Sequence, residues 1–174
     1  MSKNFADEYL FPYPVDAVHR ALFSREHWAC RLAQVGDQAT TMTGFTASPG
    51  QITVTASTEI AGALLPPGAA RNRDITFDFE EEWHDLDGDI AHGVMRASIK
   101  LARMRLDGTF RLRARGLSDS VMRFEGEVTS KLPVFGRAVE DGVCTQIIEG
   151  FTRNCDFIQE WVGLKSVEPV PEPE

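Results

Sequence analysis

Two polar residues interrupt stretches of the sequence that are otherwise apolar on one side. Glu81 falls between Phe79 and Trp83 in a run where alternate residues are apolar, and Asn154 lies at the edge of an apolar helical stripe. A buried carboxylate is costly unless it is paired or protonated. One interpretation of Glu81 is an acid that lines a cavity and orients a ligand or transfers a proton. The other is a strand end or bulge that returns it to solvent.

Other sequence patterns give no catalytic or metal site. The acidic segment at residues 80–89 resembles a calcium loop only superficially, because Gly88 falls at the fourth position instead of the sixth and Arg96 occupies the twelfth position, where an EF-hand needs a glutamate. The four histidines have no metal-binding spacing, and no cysteine is placed to complete a zinc site. There is no glycine-rich phosphate loop and no nucleophile elbow. We therefore predict neither a metal nor a cofactor.

Charge and composition narrow the class of partner. The 174 residues carry a net charge of −8, with 43% hydrophobic residues, which is an ordinary globular balance. An acidic chain repels phosphates, so a nucleic-acid or anionic-membrane partner is not expected, and no apolar stretch is long enough to predict integral membrane association. The sequence shows no secretion signal, no apolar stretch of roughly 20 residues and three cysteines without paired spacing. These features predict a cytoplasmic protein with a small-molecule partner.

The periodicity of the apolar residues predicts the order of the elements. An opening strand at residues 3–11 precedes a short helix that starts at Pro14 and a second helix capped by Ser24. From residue 38 the apolar residues alternate with polar ones, which is typical of antiparallel strands with one wet and one dry face. Turns are predicted at Asp87-Gly88, Asp107-Gly108 and residues 116–119.

A long helix is predicted over residues 142–163. Its apolar stripe faces the sheet, and Gly150 lies on the flank of that stripe. An interior glycine costs a helix roughly 0.5–1 kcal/mol relative to alanine. We therefore expect Gly150 to allow a close approach to a strand or a large ring. Residues 165–174 are rich in proline and glutamate and are predicted to form a disordered tail after a single domain at residues 1–164.

The order of these elements, together with several short motifs, resembles the START-like, or SRPBCC, superfamily. The motifs are P-x-x-x-V-x-x-x-L at Pro14, Val18 and Leu22 and W-x-x-R-L at Trp28, Arg31 and Leu32. They also include L-L-P at residues 64–66 and P-x-x-G at residues 133–136. The set is most similar to an uncharacterised bacterial family within the superfamily. The resemblance implies an α+β helix-grip fold, in which a curved antiparallel sheet wraps around a long C-terminal helix after two short helices. It also implies a hydrophobic internal cavity, but no particular reaction.

The connection at residues 61–73 is long and rich in alanine, glycine and proline. Leu64 and Leu65 would be exposed there unless the segment folds inward. The segment is either a lid over the cavity mouth or an irregular connection packed on the sheet edge.

We expect a hydrophobic or amphipathic small molecule, similar to a lipid or polyketide, to bind beneath the last helix. One alternative is an enzyme of the aromatic cyclase or dehydratase kind with Glu81 as acid and base. A second alternative is a protein-interaction module whose cavity is packed. The predicted ligand-binding residues are Leu64, Leu65, Phe77, Phe79, Glu81, Trp83, Met95, Phe110, Met122, Phe124, Ile147, Phe151, Asn154 and Ile158.

Overall fold

The computed structural model describes residues 2–34, 40–60, 75–99, 103–131 and 136–167. Its order of elements follows the predicted one, with strands numbered β1–β7 and helices α1–α3. The elements are β1 (Ser2–Phe11), α1 (Val15–Leu22), α2 (Arg25–Gln34), β2 (Thr40–Ser48), β3 (Gln51–Ile60), β4 (Ile75–His84), β5 (Ile90–Ile99), β6 (Met104–Ala114), β7 (Ser120–Ser130) and α3 (Gly136–Val167).

The seven strands form one antiparallel sheet in the order β1-β7-β6-β5-β4-β3-β2. The sheet is curved, and its inward side is the concave face, which carries alternate residues of every strand. On β6, for example, Leu106, Phe110 and Leu112 are buried, whereas Arg105 and Arg111 are exposed. A curved antiparallel sheet with two short helices and a long C-terminal helix is a helix-grip fold, as predicted.

Helix α3 packs on the concave face mainly against β1 and β7. The ring of Phe151 lies 5.4 Å from that of Phe124, which in turn stacks 4.2 Å from Phe110. Tyr9 on β1 donates a hydrogen bond of 2.6 Å to Asp156 on α3. Burial, followed by this bond to the carboxylate, raises the pKa of Tyr9 above its ordinary value.

Helices α1 and α2 pack against the sheet, α1 on β6 and β7 and α2 on β2. Val18, Leu22 and Trp28 are fully buried there. The Ser24 hydroxyl accepts a bond of 3.2 Å from the backbone N–H of His27, which confirms the predicted cap of α2. The indole N–H of Trp28 donates to the Leu22 carbonyl oxygen at 2.6 Å and ties α2 to α1.

Three local predictions can be compared with the described elements. The β4–β5 turn lies at Asp87-Gly88, where Asp87 pairs with Ile90, as predicted. The predicted turn at Asp107-Gly108 is wrong, because both residues lie inside β6 and pair with β7. Helix α3 extends beyond residues 142–163 at both ends and reaches Val167, three residues into the predicted tail. Residues 168–174 lie outside the described part of the chain.

The expected close approach at Gly150 is also wrong. A Cβ atom added there would have Arg153 Nη2, 4.0 Å away, as its nearest neighbour. That atom is the far end of a flexible side chain, so the position opens toward space rather than toward a strand or ring.

Candidate functional site

Glu81 lies on the concave face in the middle of a regular strand. It pairs with Val54 on β3 and Met95 on β5, and the register continues without a shift on both sides. The residue is buried, with 5% of its surface exposed. The interpretation that a strand end or bulge returns Glu81 to solvent is therefore wrong.

Both carboxylate oxygens of Glu81 are engaged by buried donors. Arg31 Nη2 on α2 lies 3.3 Å from Oε2, and the Trp83 indole N–H donates to Oε1 at 2.7 Å. Trp83 follows Glu81 by two residues, so both side chains point to the same face of β4. We call Arg31 and Glu81 the buried pair. It links the second helix to the centre of the sheet.

Trp28 supports the guanidinium group of the buried pair. The Cζ atom of Arg31 lies 3.7 Å from the centroid of the Trp28 ring, one helical turn earlier on α2. A desolvated cation over an indole face is stabilised by about 2 kcal/mol. Burial lowers the pKa of Arg31 from its ordinary value, and the adjacent Glu81 carboxylate opposes that change.

His27 lies one turn before Arg31 in an aromatic environment. Its ring centroid is 5.6 Å from those of Phe157 and Trp161 on α3. Burial, with a smaller contribution from the Arg31 charge, lowers the pKa of His27 to about 2. The imidazole is therefore neutral at physiological pH, and it has no exposed surface.

The Cys155 thiol on α3 interacts electrostatically with both members of the buried pair. Burial raises its pKa well above the ordinary value, despite the opposing charge of Arg31. The group therefore stays a protonated thiol at neutral pH and is a poor nucleophile. Cys30 is partly exposed, and Cys144 is buried like Cys155.

Apolar side chains next to the buried pair are only partly covered, although they lie on the concave face. We call them the half-buried cluster. Its members come from β2, β4 and β5 and are Met42, Phe77, Phe79, Met95 and Ile99. Phe79 is flanked in register by two small residues, Ala56 and Ala97. Small neighbours leave room around the Phe79 ring, so this part of the concave face offers apolar surface for contact.

The other predicted site residues divide into three groups. Trp83, Phe110, Met122, Phe124, Phe151 and Ile158 are buried core residues. Trp83 stacks 5.2 Å from Phe110, so the aromatic members pack against one another. Ile147 and Asn154 are half-buried on α3. Leu64 and Leu65 lie outside the described residues, in the part of the chain that joins β3 to β4.

Sequence reasoning missed His27 and Arg31 on α2. Together with Glu81 they form what we call the polar centre of the concave face. Arg31 entered only as part of a short family motif, and His27 only as one of the four histidines without metal-binding spacing. A signal was present, because Arg31 lies beside Leu32 and three residues after Trp28, on the apolar side of its helix. A cation on an inward helix face and Glu81 on an inward strand face are complementary charges.

A separate surface pocket of about 480 Å³ opens on the solvent-facing side of strands β2–β6. Its charged groups are largely paired with neighbours, as in the contact of 3.1 Å between Arg96 and Glu80 and the bond of 2.9 Å from Ser57 to Asp78.

In the described residues, no three potential metal-ligating side chains come together. None of the described helices has the length and apolar character to span a membrane.

A family model described as a protein of unknown function, DUF2505, matches residues 8–162. The chain belongs to this family. No curated protein matches the sequence closely enough to count as a relative.

Several solved structures share the fold at low sequence identity. An uncharacterised protein from Rhizobium leguminosarum aligns with a TM-score of 0.60 and 14% identity, over 94% of this chain and 95% of that one. Norcoclaurine synthase from Thalictrum flavum, in complex with dopamine and hydroxybenzaldehyde, aligns with a TM-score of 0.58 and 13% identity, over 98% of this chain and 90% of that one. The Zhui aromatase/cyclase from Streptomyces sp. R1128 aligns with a TM-score of 0.53 and 12% identity, over 93% of this chain and 92% of that one. These similarities establish the SRPBCC-type fold alone.

Proposed function

We propose that this DUF2505 domain binds a hydrophobic or amphipathic small molecule between α3 and the concave face of the sheet. The observation that carries the proposal is the half-buried cluster beside the buried pair. Phe79 and Met95 flank Glu81, on the same strand and on the neighbouring one, and both keep surface that the protein's own core does not cover. Apolar walls with a few fixed polar groups are typical of small-molecule sites.

The composition of the half-buried cluster favours a ligand that is partly aromatic or aliphatic rather than strongly polar. Methionine and phenylalanine adapt to varied apolar shapes at low cost. The rings of Phe77 and Phe79 lie 6.0 Å apart and present a broad apolar surface. A lipid-like or polyketide-like molecule fits this chemistry.

An enzyme of the aromatic cyclase or dehydratase kind is the main alternative, with Glu81 as acid and base. A general base must reach the proton that it abstracts. Both Glu81 oxygens already accept hydrogen bonds from Arg31 and Trp83, which favours a positioning role over proton transfer. Replacing Glu81 with Gln separates the two functions, because a binding protein retains ligand whereas an enzyme loses turnover by about 10²-fold or more.

Titration with the neutral fluorescent dye N-phenyl-1-naphthylamine tests the proposed function. We expect saturable binding that unlabelled apolar compounds displace, and native mass spectrometry of freshly purified protein should show a co-purifying small molecule. Met95→Gln should weaken dye binding. Val94→Gln, on the neighbouring residue of β5 whose side chain faces outward, serves as the matched control and should leave it unchanged. Absence of saturable binding by any apolar probe would support a packed interaction module instead.

We also infer a cytoplasmic location for this binding protein. The free thiols of Cys30 and Cys155 are consistent with a reducing compartment. Labelling the protein in intact cells with a thiol reagent that does not cross membranes tests this inference, and reaction before lysis would contradict it.

A further inference from the structure

The polar centre of the concave face contains buried hydrogen-bonding atoms that the described protein does not satisfy. Arg31 Nε and both ring nitrogens of His27 are buried and have no hydrogen-bond partner among the described residues. Buried polar atoms in folded proteins nearly always have a partner, which can be protein, water or ligand. Three unpartnered atoms on neighbouring turns of one helix therefore indicate that another molecule supplies their partners.

The geometry of α2 places these atoms on the same side of the helix. His27 and Arg31 are four residues apart, which is the spacing of neighbours on a helix face. Trp28 covers a face of the Arg31 guanidinium, and Glu81 binds Nη2. The N–H bonds of a guanidinium lie in its plane, so stacking on Trp28 leaves the Nε edge free to donate.

The charges of the centre define the chemistry of the missing partner. Arg31 and Glu81 carry opposite charges and neutralise each other, and His27 is neutral. An anionic group would bring a buried negative charge that nothing balances, which is unfavourable. An oxygen that accepts a hydrogen bond from Arg31 Nε satisfies the donor without adding charge. A hydroxyl can also donate to the bare nitrogen of the neutral imidazole.

We propose that the ligand of this domain carries a neutral carbonyl or hydroxyl oxygen at one end and that this oxygen binds at Arg31 Nε beside His27. The inference rests on the proposed function and names the class of its ligand. Glu81 pairs in register with Met95, a member of the half-buried cluster, and precedes Trp83 on the same face. The apolar remainder of the molecule therefore lies along that cluster.

Three naphthalene compounds of nearly equal size test this proposal. They are 2-acetylnaphthalene with a carbonyl, 2-ethylnaphthalene with a methylene at the same place and 2-naphthoate with an anionic carboxylate. Affinities are measured by displacement of N-phenyl-1-naphthylamine. We expect 2-acetylnaphthalene to bind about tenfold more tightly than 2-ethylnaphthalene, because a hydrogen bond to a charged donor has at least that effect. We expect 2-naphthoate to bind no better than 2-acetylnaphthalene.

Two variants of the buried pair distinguish this inference from general apolar binding. Arg31→Lys keeps a cation near Glu81 but has no donor at the Nε position, so the tenfold preference for 2-acetylnaphthalene should disappear while 2-ethylnaphthalene binds as before. Arg20→Lys on the exposed surface of α1 is the control and should keep the preference. Glu81→Gln leaves Arg31 unbalanced, so it should keep the preference and raise 2-naphthoate affinity about tenfold.

The outcomes separate the two levels of the proposal. Equal affinities of the acetyl and ethyl compounds would overturn the inference and leave the proposed function standing, and an internal water would then be the partner of Arg31. Retention of the preference in Arg31→Lys would also overturn it. If neither the dye nor any of the compounds binds, the proposed function fails and this inference fails with it.

Discussion

The guanidinium of Arg31 stacks on the indole of Trp28 at 3.7 Å while the same group pairs with Glu81 fifty residues away in sequence. One side chain thus joins the aromatic core of α2 to the centre of the sheet. Because arginine is planar and lysine is not, only arginine can stack and pair in this way.

The buried pair should show strong energetic coupling. Arg31→Met and Glu81→Met each leave a buried charge without its partner, and each should destabilise the protein by about 3–5 kcal/mol. The double variant removes both charges, so it should be much less destabilised than the sum of the single variants. Urea unfolding of the four proteins measures the coupling energy. Additive effects would contradict the contact described for these two residues.

His27 should make stability depend on pH. Its pKa is about 2 in the folded protein and near 6.5 in the unfolded chain, so below pH 6.5 only the unfolded state binds the proton. Folding stability therefore falls as pH decreases, by roughly 2 kcal/mol at pH 5. His27→Leu should remove this part of the dependence, whereas His92→Gln, at an exposed position on β5, should not. Parallel stability curves for wild type and His27→Leu between pH 7.5 and 5 would show that His27 is not a buried neutral group.

Two glycines should respond to alanine in opposite directions. Gly150→Ala places a methyl group in open space on α3 and should stabilise the protein by about 0.5–1 kcal/mol. Gly93→Ala would place its Cβ 2.8 Å from the Trp83 ring and 2.9 Å from the Glu82 carbonyl oxygen, and it should cost about 1–3 kcal/mol. Thermal unfolding compares the two variants. Destabilisation by Gly150→Ala would contradict this description and support the close contact with a strand or ring that the sequence predicted.

The thiols should differ in reactivity. Cys30 is partly exposed, whereas Cys144 and Cys155 are buried and Cys155 has a raised pKa. We expect a maleimide to modify Cys30 first in the native protein and the other two only after unfolding, with peptide mass spectrometry as the readout. Rapid native modification of Cys155 would mean that the interior near the buried pair is open to reagents.

The sequence predicted the fold well, because the alternation of apolar and polar residues on the strands and the helical spacing of apolar residues on α3 both match the structure. The errors have physical causes. Asp107-Gly108 has the composition of a hairpin turn, yet Leu106 and Phe110 continue the inward alternation through it, and pairing on both sides of the strand overrides the local turn preference. Gly150 lies close to the buried stripe by angle, but no strand approaches it.

The sequence predicted one part of the candidate site, Glu81, but not the residues of α2 that contact it. The inward position of Glu81 followed from strand parity, whereas its partner came from a helix fifty residues earlier. Such a contact depends on how α2 packs over the sheet, which periodicity does not determine. The unpartnered atoms of His27 and Arg31 likewise follow from packing, since the same residues on an exposed helix face would bond to water.

Methyl NMR of methionine-labelled protein tests ligand binding on the concave face most directly. The chain has five methionines, and Met42, Met95, Met104 and Met122 all lie on inward positions of the sheet. A bound aromatic ring shifts nearby methyl signals. Titration with 2-acetylnaphthalene should therefore shift Met42 and Met95 saturably, with smaller effects on Met122 in the packed core. Saturable binding that leaves the signals of Met42 and Met95 unchanged would contradict the proposed site.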